Sequence, residues 1–214
     1  MTPRRVALLL AVALAAAALP APARAGAGLD AVPRAALPWR RTVTAAAHQS
    51  FGIAGPVAML AAQLQQESGW SAQARSGAGA LGLAQFMPST AADMAARHPR
   101  DCAPADPWDP RWAITCAAIY DADLHRGMRA ATRCDRWAMT LSAYNGGAGW
   151  IARDARKAAA QGLDPLRWWG HVETVNAGRA PVYWRENRGY PRRILRVIEP
   201  RYASWGPTAC EVTP

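Results

Sequence analysis

A mainly α-helical domain is what this sequence predicts, and three observations predict it. Apolar residues recur at helical spacing through most of the chain, alternating β-branched runs are nearly absent, and glycines and prolines fall where helices should start and stop. A first helix is expected over residues 42–51, halted by Gly52. Pro56 then opens a second at its first position, with Val57, Leu60, Ala61 and Leu64 on one face, Glu67 at its end and Gly69 as the stop. Residues 76–82 contain three glycines and are expected to form a loop with room for a short extended pair, before Pro88 starts the next helix. Asp109 caps a helix that begins at Pro110 and runs through Ile114, Ala118 and Leu124 to Gly127. Asp135 is expected to cap a helix ending in SAYNGG, and further helices are expected over residues 150–160 and 187–204. In the last of these Pro191 belongs in the first turn, and Pro200 should kink or end it.

The N-terminus speaks to compartment. Arg4 and Arg5 precede an apolar run, Pro20 follows it, and Ala23-Arg24-Ala25 supplies a small-residue cleavage site. This is the pattern of a secretory signal, residues 1–25, and the run is too short to cross about 30 Å of hydrocarbon. Cleavage near Ala25 would leave a periplasmic or secreted protein with no stable membrane span. Residues 26–41 then form a linker, residues 42–205 one domain, and residues 206–214 a C-terminal tail.

Loss of Arg4, Arg5 and Arg24 lowers the formal charge from +10 to +7. Outside the cytoplasm a basic protein seldom meets nucleic acid, so an anionic wall polymer is the better electrostatic partner. Cys102, Cys116, Cys134 and Cys210 are even in number in an exported chain and point to two disulfides. Spacing weakly favours Cys102 with Cys116 and Cys134 with Cys210. The C-terminal tail would then be tied by the second bridge. No C-x-x-C pair occurs and the histidines do not flank the cysteines at ligand spacing, so neither metal nor cofactor is expected.

Glu67 is the residue that raises a chemical question. It ends an apolar helix, and no lysine or arginine lies between Arg41 and Arg75 to lower its pKa through a sequence neighbour. Cleaving a glycosidic bond needs a carboxylic acid that stays protonated near neutral pH, which burial achieves by disfavouring the charged form. Most glycosidases add a second carboxylate, yet the nearest acids along the chain are Asp30 and Asp93.

Four segments in order, QQESGW, GALGLAQFMPST, SAYNGG and ENRGYPRRIL, resemble the lytic transglycosylases related to soluble lytic transglycosylase and goose-type lysozyme, over roughly residues 42–198. The resemblance implies a lysozyme-like α-helical fold with a small loop or short β element by the active-site cleft. It also implies cleavage of the β-1,4 bond between N-acetylmuramic acid and N-acetylglucosamine in peptidoglycan glycan strands. In this family one glutamate, matched by Glu67, acts as acid and then as base. The substrate's 2-acetamido group assists at C1, and the muramic acid 6-hydroxyl closes a 1,6-anhydro ring.

By the same resemblance Ser76, Gln85 and Met87 contact sugar, and the GALG glycines let backbone approach the glycan. Tyr144 sits beside the charge developing at C1, and Asn145 faces the acetamido group. Glu186 and Tyr190 match the family's E-T-R-x-Y segment, with Asn187 and Pro191 as departures; Glu186 positions a sugar or, preferably, braces the cleft. Trp168, Trp169 and Trp184 are candidate sugar platforms, although most of the ten tryptophans should be core. Asp121, Asp123 and Asp135 are better explained as solvated helix positions or caps.

Two other readings stay open: a hydrolytic lysozyme of the same fold, with Asp93 or Glu173 holding a water, and an inactive wall-binding protein. A role beside an envelope-spanning secretion, conjugation or phage apparatus and a role in general wall turnover are equally compatible with the sequence.

Overall fold

The computed structural model describes residues 31–210. The expected signal, residues 1–25, lies outside the described residues, as do residues 211–214. Eight α-helices carry the described fold: α1 Arg40–Phe51, α2 Val57–Ser68, α3 Pro88–Arg97, α4 Pro99–Cys102, α5 Pro110–Gly127, α6 Arg133–Gly146, α7 Ala148–Ala160 and α8 Pro181–Arg193. A 3₁₀ turn, Arg34–Trp39, leads straight into α1 and buries Ala36, so the stretch read as the end of a linker is already part of the packed unit.

α2 is the central element, because every residue from Val57 to Leu64 is buried. A helix that is apolar on all sides must be surrounded, and α2 is packed by α1 and by the C-terminal turns, while α1 lies on α5 and α6 lies against α5, α7 and α8. Three alanines, Ala58, Ala61 and Ala62, keep its girth small. Gly69 ends it as expected, in the left-handed conformation at φ 60°, with its N–H donated to Gln65 O. The chain then turns through Trp70, itself at φ 71°. That indole is buried and donates to Tyr202 Oη at 2.8 Å, and Tyr202 Oη donates to Gln65 Oε1 at 2.6 Å. The turn after the catalytic candidate is thereby fastened to the C-terminal end of the domain.

Three local expectations change. Asp135 is not the cap of α6; Thr132 is, accepting the Asp135 N–H at 3.0 Å. Asp135 is free to reach the loop between α7 and α8, where its Oδ1 accepts the backbone N–H of Trp168 at 2.9 Å. α8 begins at Pro181 and not near residue 187. Pro191 therefore lies deep in α8, where the missing N–H removes one helical hydrogen bond. The helix responds by widening into a π turn over Ile194–Ile198 before Pro200 helps start a 3₁₀ turn, Glu199–Trp205.

Both disulfides pair as the spacing favoured: Cys102 with Cys116 at a Cα–Cα distance of 5.9 Å, and Cys134 with Cys210 at 4.6 Å. The first joins α4 to α5. The second ties the tail to the start of α6, and Ala209 is fully buried there. Among the described residues no helix is long and apolar enough to cross a membrane.

Candidate active site

Glu67 stands in the last turn of α2. A carboxylate there meets the partial negative charge of the helix C-terminus, which disfavours ionisation. Burial does more and pushes its pKa from 4.5 to about 8, a hydrogen bond from Tyr190 pulls it part of the way back, and the nearby Glu186 raises it again. The Tyr190 hydroxyl donates to Glu67 Oε1, and Tyr190 comes from α8, 123 residues away in the chain. Among the described residues no arginine, lysine or histidine forms an ion pair with Glu67.

The glycine-rich segment after α2 folds into a tight loop with two isolated bridges, Arg75 with Leu81 and Leu81 with Phe86. Ser76 Oγ accepts the Ala80 N–H at 2.9 Å and so fixes the first turn. Gln85 has φ 50° and its Nε2 donates to Gly82 O at 2.8 Å and Ala74 O at 3.2 Å. That amide nitrogen holds the loop together. Gly82 is required for a reason inside the protein: at φ 71°, a Cβ would lie 1.7 Å from Pro107 O. Met87 is half-buried and precedes α3 as its N-cap.

Tyr144 and Asn145 project from the last turn of α6. The Tyr144 hydroxyl donates to Ala84 O at 2.8 Å, and its ring packs on Phe86 and Tyr120 with centroids 6.2 and 5.3 Å away. Burial and, after it, the charge of Glu67 hold the Tyr144 phenol well above its ordinary pKa, and the same two causes act first on Tyr190. Both phenols therefore stay neutral beside Glu67. Asn145 Oδ1 accepts from Asn187 Nδ2 at 3.0 Å.

Glu186 is half-buried on α8, its pKa raised by that burial. Among the described residues it has no ion pair, so the bracing role preferred from the sequence lacks a charged partner. Asp93 and Glu173, the acids considered for holding a hydrolytic water, are engaged elsewhere: Asp93 pairs with Arg97 at 2.9 Å and Glu173 with Arg192 at 3.0 Å.

Sequence reasoning missed two buried polar groups under the site. Asp121, expected to be solvated, is fully buried; its Oδ1 accepts from Gln63 Nε2 at 3.3 Å, and burial keeps its pKa well above the carboxylate range. Gln63 precedes Glu67 by one helical turn, and it interrupts an apolar run, which was the available signal. The second group is an ion cluster. Asp154 on α7 accepts from Arg179 and, at 2.6 Å, from Arg188 Nη2; Arg188 Nη1 donates to Asn187 Oδ1 at 2.7 Å. Asn187 in turn donates to Ser142 O at 2.8 Å as well as to Asn145. Gly146 makes room for this approach, since a Cβ there would lie 2.7 Å from Asn187 Nδ2. Asn187, which stood out as a departure from the family pattern, is the link that joins α6 to α8.

Comparison with known proteins bears on the family and the fold. The family model described as "Transglycosylase SLT domain" matches residues 44–166. A curated relative, membrane-bound lytic murein transglycosylase F of Ectopseudomonas mendocina (strain ymp), is 34% identical over 138 residues, 63% of this chain and 26% of its own length. The fold resembles an inactive mutant of the lytic transglycosylase Slt from Pseudomonas aeruginosa, at a TM-score of 0.56 and 21% identity over 81% of this chain and 25% of that one. It also resembles the 70 kDa soluble lytic transglycosylase of Escherichia coli, at a TM-score of 0.54 and 20% identity over 78% of this chain and 25% of that one. The chain thus spans about a quarter of the length of these relatives. Because the family model covers more than half of its residues, the chain belongs to the transglycosylase SLT domain family.

Proposed function

We propose that this protein is a peptidoglycan lytic transglycosylase of the cell envelope, exported by the N-terminal signal, and that Glu67 alone serves as acid and base. The observation that carries the proposal is a buried carboxyl with a pKa near 8, held by Tyr190 and, among the described residues, in no ion pair. At neutral pH such a group is mostly protonated and can donate to the glycosidic oxygen as the bond to C1 breaks. The acetamido oxygen of the substrate then shares the positive charge at C1. Glu67, now a carboxylate, takes the proton of the muramic acid 6-hydroxyl as that oxygen attacks C1 and closes the anhydro ring. No water enters the product. Attack within one sugar needs only orientation, which proximity favours.

In this reading Tyr144, Asn145, Ser76, Gln85, Met87 and Glu186 surround the sugar. Tyr144 and Gln85 shape the cleft through the loop they hold, and Asn145 keeps a free amide nitrogen for an acetamido oxygen. Glu186 raises the pKa of Glu67 by its charge, and it gives the hydrolytic alternative a group to hold water. The product decides between them.

The Tyr190 hydrogen bond lowers the pKa of Glu67. Tyr190→Phe should therefore move the basic limb of the pH–rate profile to higher pH, because the acid form persists further. A limb that stays in place or moves down would show that another group sets it.

A further inference from the structure

α8 has two working sides. Tyr190 and Glu186, one turn apart, act on Glu67. With 3.6 residues per turn, Trp184, Arg188 and Arg192 fall on the other side, and there they line a pocket of about 390 Å³ together with Glu173, Thr174 and Gly189. Nothing in the catalytic reading uses this pocket.

Gly189 is the unexplained residue in it. It lies in the interior of α8 with no left-handed backbone angle, and a Cβ placed on it would meet nothing within 4 Å. Neither turn geometry nor close packing asks for glycine, and glycine is a poor helix former at such a position. What its missing side chain does is leave the pocket open.

The wall of the pocket is preorganised. Trp184 Nε1 donates to Val175 O at 2.9 Å, and the Arg188 guanidinium lies 5.7 Å from the centre of its ring. Arg188 is itself tied into the Asp154 cluster. At the rim Arg192 donates to Glu173 Oε2 at 3.0 Å through one nitrogen, which leaves other guanidinium N–H groups for a carboxylate. Thr174 Oγ1 donates to His171 O at 2.7 Å and keeps lone pairs to accept with. A rigid aromatic wall, a few polar groups and a guanidinium that keeps N–H groups beyond its pair with Glu173 suit a sugar ring carrying an anionic substituent. Arg185, on the same side of α8 by helical spacing, is also exposed.

We propose that this pocket is a second, non-catalytic site for the wall glycan, in which an N-acetylated sugar unit lies against Trp184 with its carboxylate-bearing substituent at Arg192. The inference rests on peptidoglycan being the substrate of the Glu67 site. Because the pocket opens on the opposite side of α8, the unit bound there belongs to a neighbouring stretch of glycan, and its effect is to retain the enzyme on the polymer.

The test uses the full mature chain carrying Glu67→Gln, so that binding to purified sacculi is read without cleavage, and compares Gly189→Ala with Gly189→Leu. Both replacements should raise Tm by about 2–4 °C, since both are better helix formers than glycine. Only leucine projects far enough to obstruct the pocket, and it should weaken binding to sacculi about tenfold while alanine retains it. In the Glu67-containing enzyme, Gly189→Leu should leave turnover of short soluble glycan fragments unchanged. Leucine and alanine variants that bind sacculi equally would overturn the second site. A parent that cuts and binds sacculi alongside that result would leave the Glu67 reading standing, whereas a parent that neither cuts nor binds would remove both.

Discussion

Replacing Glu67 with glutamine is expected to reduce glycan release from peptidoglycan by about 10²–10⁴-fold, the span usually lost when a positioned acid–base group is removed. Glutamine keeps the size and polarity of the side chain but holds no transferable proton. The same substitution has an expected consequence for stability. Glu67 titrates at 4.5 in its unperturbed state and at about 8 in the fold. Between those values the unfolded chain has released a proton that the folded chain retains, so stability is full below pH 4.5 and falls as the pH rises toward 8. Glutamine does not titrate. E67Q should therefore melt above the wild type at pH 8, and the difference should vanish near pH 4. Thermal melts across this range check it; a difference between variant and wild type that stays constant from pH 4 to pH 8 would show that Glu67 is not held protonated.

The second large effect is on the cluster behind the cleft. Asp154 is fully buried and receives Arg179, Arg188 and, at 2.8 Å, the backbone N–H of Ala177. Asp154→Ala would leave two buried guanidinium groups without their carboxylate, a change that costs about 3–5 kcal/mol. For a domain of this size that is a fall in Tm of roughly 6–20 °C. Activity should fall as well, even at temperatures where the variant is folded, because Arg188 holds Asn187 and Asn187 holds Asn145. A loss below about 1 kcal/mol in denaturant unfolding would mean that the cluster contributes little and that α8 is placed by apolar packing alone.

What was legible in the sequence followed from local chemistry. Gly69 as a left-handed stop, Asp109 as a cap and Pro88 at a helix start depend on a few neighbouring residues, and these are found where expected. Glu67 as the end of a buried helix was legible for the same reason. The start of α8 was less so, since its polar run RENRG hides the helical period, although Pro181 at its first position was a usable signal. Pro191 was placed by a local rule that tertiary packing overrode: a π turn absorbs the lost hydrogen bond. Asp121 and Asp154 were not legible as buried groups, and Gln63 was marked only by its break in an apolar run. Their cost is offset by partners on other helices, 58 residues away for Gln63 with Asp121 and 34 for Arg188 with Asp154, and spacing along one helix carries no trace of such partners. The loop residues show a third case. Gln85 and Gly82 carry the family motif, yet in this fold the side-chain nitrogen of one and the missing Cβ of the other serve the loop itself.

The central claim is that one carboxyl acts twice and that the attacking hydroxyl comes from the sugar. Mass spectrometry of the fragments released from defined peptidoglycan by the purified mature enzyme tests it most directly. Transglycosylation predicts 1,6-anhydro-muramic acid ends, one water lighter than hydrolysis products and not reducible by borohydride. Reducing muramic acid ends would contradict the account and would place a water, held by Glu186, where the 6-hydroxyl is proposed to act.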